Sequence, residues 1–211
     1  YAANCAGCHG ANGTLGPARP LNDALYLAVI PDEAFLAVVA NGVPGTAMPG
    51  FGHGAGGPLD DAQLAALING IRATWGRATD LPSADELPAY AGMVGTDPST
   101  LEAGRVVYDA ACARCHGPVD SASDVAVRRI ADIEIDKGRA GDSVETPRAG
   151  SILDRSFLAL VSDQALRSNI IAGRPDLGQP DFRTVHAGGP LTDAQITALV
   201  SWIASHRATA F

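Results

Sequence analysis

The 211-residue chain has four cysteines, and each of the two pairs is followed at once by a histidine: Cys5-Ala6-Gly7-Cys8-His9 and Cys112-Ala113-Arg114-Cys115-His116. Two thiols about one helical turn apart reach the two vinyl groups of one porphyrin and become thioethers, and the adjacent imidazole then lies under the ring to ligate iron. C-x-x-C-H thus reads as attachment of c-type haem: Cys5, Cys8 and His9 hold one haem c, and Cys112, Cys115 and His116 hold a second. A single zinc site with four thiolates is the first rival, but the pairs lie 107 residues apart and each carries its own histidine. A thioredoxin-like redox pair needs a βαβ setting, and no strand-rich pattern flanks either motif.

The elements that must position these residues occur twice. A shift of 107 lays Tyr1 on Tyr108, Ala3 on Ala110, His9 on His116 and Gly10 on Gly117. A second ungapped match, at a shift of 131, lays residues 21–51 on 152–182 and pairs Asp23 with Asp154, Asp32 with Asp163, Gly42 with Gly173, Pro49 with Pro180 and Phe51 with Phe182. The segments GGPLDDAQLAALI and GGPLTDAQITALV agree again. The change of shift places 24 extra residues in the second half, within 118–150. The sequence is therefore a duplication: one unit over 1–80, a linker over 81–98 with Pro88, Gly92 and Gly95, and a second unit over 99–211. Each unit is small for a core of side chains alone, so a covalently held haem supplies much of its apolar interior.

Both units read as helical. Asp32, apolar positions 35, 36, 38 and 39, and Gly42 outline a short capped helix. Asp60 to Gln63 forms a capping box ahead of an apolar face at Leu64, Leu67, Ile68 and Ile71. Ser99-Thr100-Leu101-Glu102 forms another, opening the helix that ends in Cys112–His116, while 162–172 and 192–206 are the second-unit partners of the first two. Tyr1, Tyr108, Trp75 and Trp202 are expected to pack helices against the haems. The insertion, with Arg128, Arg129, Asp132, Glu134, Asp136, Lys137 and Arg139, is expected to be an exposed loop. Tyr108 sits about two turns into its helix whereas Tyr1 opens the sequence, so leading turns, with any signal peptide or anchor, are expected upstream.

Charge narrows the function. Fifteen Lys and Arg face 23 Asp and Glu, for a net charge of −8, and Lys137 is the sole lysine. Nucleic-acid binding needs clustered cations and is excluded as a reading. No apolar run nears the ~18 residues of a membrane span. Residues 1–98 carry three basic against nine acidic groups and are the more acidic half, which bears on docking.

With these residues in place, the chain resembles a tandem class I cytochrome c: C-x-x-C-H on the first helix, Gly42-Val43-Pro44-Gly45-Thr46-Ala47-Met48-Pro49 as the distal-ligand loop, and a C-terminal helix. It is similar to the dihaem cytochromes, often lipid-anchored, of bacterial respiratory chains. The resemblance implies an all-α fold of two tandem cytochrome c-type domains, each a few helices around one haem. It also implies electron transfer in a respiratory or photosynthetic chain and a periplasmic location, with membrane association only through an unseen N-terminal anchor or a complex. The implied partners are a quinol:cytochrome c oxidoreductase, a terminal oxidase or a reaction centre. Met48, 39 residues after His9, takes the distal place on the first iron. Met93, in the linker, is read as packing.

The second unit departs from this pattern, with Gln179 in the place of methionine. Three alternatives stand: ligation by the Gln179 amide oxygen, ligation by His186 to give bis-histidine iron, or an open site that binds a small ligand. His53 and His206 read as solvated. Thioether sulfur favours ferrous iron, whereas oxygen or a second imidazole favours ferric iron. The second haem is therefore expected to have the lower potential and to pass electrons to the first. Arg19 is a candidate for a haem propionate or, equally, a surface arginine. The rival functions are a dihaem peroxidase or small-molecule oxidoreductase acting at the second haem, and a structural subunit wiring a larger complex. No distal Glu or Arg constellation can be placed, and no catalytic residue is assigned.

Overall fold

The computed structural model describes residues 1–117 and 149–207. The insertion expected within 118–150 lies, apart from its last two residues, outside them. Among the described residues the chain is helical, with two isolated β-bridges and no strand. The first unit comprises α1 (Ala6–His9), α2 (Ala24–Val29), α3 (Asp32–Asn41) and α4 (Asp61–Trp75); the second comprises α5 (Pro98–Ala111), α6 (Ala113–His116), α7 (Arg155–Leu160), α8 (Asp163–Ala172) and α9 (Asp193–Ser205).

Side-chain oxygens decide where most of these helices begin. Asp60 with Gln63, and Thr192 with Gln195, form complete capping boxes at α4 and α9. Two starts differ from the sequence reading. Pro31, not Asp32, is the N-cap of α3, and Asp32 instead pairs with Arg72 at 2.7 Å. The α5 cap is Asp97, which accepts from the Thr100 N–H; Pro98 follows as the first helical residue, and Glu102 is drawn off to Arg105. The short helices α2 and α7 were not anticipated; Asp23 and Asp154 cap them by accepting from the amides three residues on.

Each unit has its own core, and α2 belongs to both. Leu27, Ile30, Phe35, Leu64, Ile68 and Ile71 form the first cluster, with Leu67 only half-buried at its margin. Leu25 and Val29, on the other side of α2, are buried in the second cluster with Leu158, Leu166, Ile171, Leu199 and Ile203. Burying a Leu or Ile side chain is favourable by ~1.5–3 kcal/mol, so this two-sided helix fixes the units together. Residues 81–97 are strapped to the second unit. Leu81, Leu87, Tyr90 and Val94 pack on its core. Arg167 Nε donates to the Ala89 carbonyl at 2.9 Å, Gln164 to the Tyr90 carbonyl at 2.9 Å, and the Gly95 N–H to Ser201 Oγ at 2.9 Å. Met93 does not pack, contrary to the sequence reading: it is 89% exposed.

Helix α5 packs tightly on α9 at Gly104. A Cβ at Gly104 would lie 2.1 Å from the Ala198 carbonyl oxygen and 2.5 Å from Trp202 Cβ, so only glycine permits the approach. Gly104→Ala is expected to force the helices apart and destabilise the chain by ~1–3 kcal/mol. Gly70→Ala, on α4 where a Cβ meets no atom within 4 Å, should stabilise it by ~0.5–1 kcal/mol. Thermal unfolding must give midpoint changes of opposite sign for the two variants. At Asp97, the hydroxyls of Thr100 and Ser99 hold the carboxyl down at about 2 against an ordinary 3.8. A depressed carboxyl contributes stability above its ordinary value that is lost as pH falls towards 2; Asp97→Asn should flatten that part of the acid limb in a series of melts.

Candidate haem sites

Each C-x-x-C-H segment is a single helical turn held in place by a tyrosine. Tyr1 donates its hydroxyl to the Gly10 carbonyl at 2.5 Å, and Tyr108 donates to the Gly117 carbonyl at 2.7 Å. Indoles back both rings, Trp75 on Tyr1 edge-on at 5.0 Å and Trp202 on Tyr108 at 4.7 Å between centroids. All four thiols are free. Cys5 and Cys112 terminate the backbone turns that lead into α1 and α6, and burial pushes the Cys5 thiol up and the Cys112 thiol up to about 12. Burial thus disfavours the thiolate form at both. Among the described residues no three His, Cys, Asp or Glu side chains are grouped to hold a metal ion, so the two cysteine pairs do not converge on a common zinc.

The histidines carry the clearest geometric signal. His9 Nδ1 lies 2.7 Å from the Arg19 carbonyl oxygen, and His116 Nδ1 lies 2.8 Å from that of Gly150. A carbonyl can only accept, so Nδ1 carries the proton and Nε2 keeps a lone pair with no partner among the described residues. His186 has the opposite polarity. Its Nδ1 accepts from the Gly188 N–H at 3.1 Å, which puts the proton of the neutral ring on Nε2. His206 is not solvated as expected: its ring packs on Trp202 at 4.5 Å and its Nδ1 bonds the Trp202 carbonyl at 2.9 Å. His53 is exposed.

The loops after α3 and α8 share one backbone frame. Gly42 and Gly173 end the helices with φ of 74° and 68°. A Cβ at either would come within 2.6 Å of the carbonyl oxygen of Met48 or Gln179, so the turn that brings those residues back requires glycine. The Val43 N–H donates to the Met48 carbonyl at 3.0 Å, and the Arg174 N–H to the Gln179 carbonyl at 3.0 Å. Phe51 and Phe182 then bond back to Val39 and Ile171. Met48 and Gln179 are both half-buried. Gln179 Nε2 donates to the Asn169 carbonyl at 2.8 Å, leaving Oε1 without a partner among the described residues.

Arg19 is neither a surface arginine nor free for a propionate through its terminal nitrogens. Nη1 donates to Asn169 Oδ1 at 2.6 Å, and Nη2 reaches Asp23 at 3.2 Å and the Gly173 carbonyl at 3.3 Å, while Nε is buried without a partner. Sequence reasoning missed this crossing from one unit to the other, along with Asn169, because both depend on how the units meet.

The donor set fits haem c: two free thiols one turn apart, a neutral imidazole with an unprotonated Nε2, and a loop presenting a second donor, all twice over. Residues 1–69 match the family described as cytochrome c oxidase, cbb3-type, subunit III, and residues 101–207 match the family described as cytochrome c. The chain is 30% identical over 154 residues to the Cbb3-type cytochrome c oxidase subunit FixPc of Rhizobium leguminosarum bv. viciae, covering 68% of this chain and 46% of that protein. It thus spans less than half of that relative's length. Its fold is similar to a chain of the Kuenenia stuttgartiensis reducing HAO-like protein complex, with a TM-score of 0.52, 17% identity, and coverage of 97% of this chain and 92% of that one. The chain belongs to the cytochrome c family, whose domains hold covalently attached haem c and transfer electrons through it.

Proposed function

We propose that the chain is a dihaem electron-transfer unit of a terminal oxidase complex, with one haem c in each of its two units. What carries this reading is the paired geometry at His9 and His116, each donating its Nδ1 proton to a backbone carbonyl and each beside two free thiols. Bound haem supplies a one-electron ferrous–ferric couple. The chain's residues set its character. Cys5 with Cys8, and Cys112 with Cys115, would hold the porphyrin, and His9 and His116 would offer Nε2 to its iron. The carbonyl behind each ring raises its basicity and fixes its plane.

Met48 and Gln179 are the proposed sixth donors. The loop frame they share supports this, as does the polarity of His186, whose Nε2 carries the proton. A soft thioether in the first unit and a hard amide oxygen in the second make the second haem the lower-potential site and the first its acceptor. The resemblance to a Cbb3-type oxidase subunit supports an oxidase complex as the downstream partner and an extracytoplasmic, membrane-associated setting. Among the described residues no helix is long and apolar enough to cross a membrane.

A pyridine haemochrome assay on the purified protein should find two covalently retained haems per chain. A redox titration should then resolve two waves, and only the higher should move downward in Met48→Ala. Gln179→Met should raise the lower wave and add a second sulfur-to-iron band in the far red of the oxidised spectrum. Equal potentials, or loss of the lower wave in Met48→Ala, would falsify the assignment. Sustained peroxide turnover by the wild-type protein would favour an enzyme in its place.

A further inference from the structure

Arg19 serves His9 through its carbonyl, a task that requires no side chain. The residue at its place in the second unit is Gly150, whose carbonyl serves His116 in the same way. The guanidinium instead reaches across to Asn169 and Gly173, the last turn of α8 and its terminal cap. The Gln179 loop departs from these two points, and the Asn169 carbonyl also receives the Gln179 amide at 2.8 Å. In the first unit the corresponding carbonyl, on Val38, is taken by the Gly42 N–H at 3.0 Å. Valine there has no side-chain acceptor for an arginine.

We propose that Arg19 is a cross-unit positioning residue: it anchors the loop that presents Gln179 to the second haem, while its own carbonyl orients the proximal ligand of the first. This rests on Gln179 as the second sixth donor. The buried setting of the pair argues for positioning over stability. The Arg19 and Asp23 side chains are 16% and 6% exposed, and a buried ion pair adds little net stability while fixing geometry well. The Tyr26 ring, 4.3 Å from the guanidinium carbon, completes the cradle. A planar fork is required, because three acceptors at Asn169, Gly173 and Asp23 are met by two nitrogens of one group.

The test is a cyanide titration of the oxidised holoprotein, followed by absorption, with each haem's midpoint potential measured alongside. Arg19→Gln, Arg19→Lys and Asn169→Ala all keep the backbone carbonyls that serve His9 and Gln179. Each should raise cyanide affinity at the second haem about tenfold, equivalent to about 1.4 kcal/mol, and shift the second potential. Each should leave the first haem's far-red band and potential unchanged. If these variants retain wild-type affinity and potentials while Gln179→Leu opens the site, Arg19 is no clamp and the ligand assignment stands. If Gln179→Leu itself changes nothing, the ligand assignment fails and takes the proposal with it. Should Arg19→Gln lose haem, Asn169→Ala decides between these results, since it removes only an acceptor on α8. Loss of the first haem's band in Asn169→Ala would mark general disruption and also overturn the proposal.

Discussion

A backbone carbonyl behind each proximal imidazole is the constraint from which the rest follows. A neutral imidazole has one proton for two nitrogens, and the bond from Nδ1 to Arg19 or Gly150 keeps it off Nε2, the nitrogen proposed to take iron. The chain must therefore return to each histidine after leaving it. In the first unit it does so within 10 residues and in the second after 34. The difference is the whole of the insertion that the sequence shifts imply. The added residues leave the requirement unchanged: in both units a carbonyl accepts from Nδ1.

The two units repeat tasks more faithfully than they repeat positions. Arg72 donates to the Leu27 and Ile30 carbonyls and pairs with Asp32. Arg207 donates to the aligned Leu158 and Val161 carbonyls and pairs with the aligned Asp163. Yet the alignment of the last helices sets Arg207 against Trp75, and Trp202 against Gly70. The guanidinium comes from within α4 in the first unit, three residues before the indole, and from beyond the end of α9 in the second, five residues after it. Either order fills both needs. What is fixed is an exposed carbonyl end and an unbacked phenol; the position supplying the partner is free.

This limits what could be read from the chain in advance. The C-x-x-C-H motifs, the glycine-ended helices and the Asp60–Gln63 capping box were legible because each depends on residues within one turn or one loop. The α5 cap was misread because Asp97 and Ser99 are both good caps, and Pro98 between them decides for Asp97 by fitting the first helical position. Arg19, Asn169 and the two faces of α2 were hidden for a different reason. Their roles arise from contacts spanning about 150 residues, and no local pattern marks an arginine that will be buried by another unit. That the Gly188 N–H occupies the His186 Nδ1 was likewise not marked in the sequence.

Three departures from internal symmetry meet at the seam between the units: Arg19 against Gly150, Asn169 against Val38, and Gln179 against Met48. In independent copies such changes would be unrelated, but here hydrogen bonds join them in series. Methionine needs no polar partner in its loop. A half-buried glutamine does, since an amide nitrogen left unbonded away from water costs ~1–3 kcal/mol. The Asn169 carbonyl meets that need, and it is free to do so because, unlike its Val38 counterpart, it receives no bond from the following glycine's N–H. With its nitrogen held by α8, the amide can turn only its oxygen outward. On the proposed ligation, the exchange of a soft donor for a hard one is thus tied to the way the second unit is held against the first, and a change in ligand chemistry between the two sites becomes a property of the fused pair.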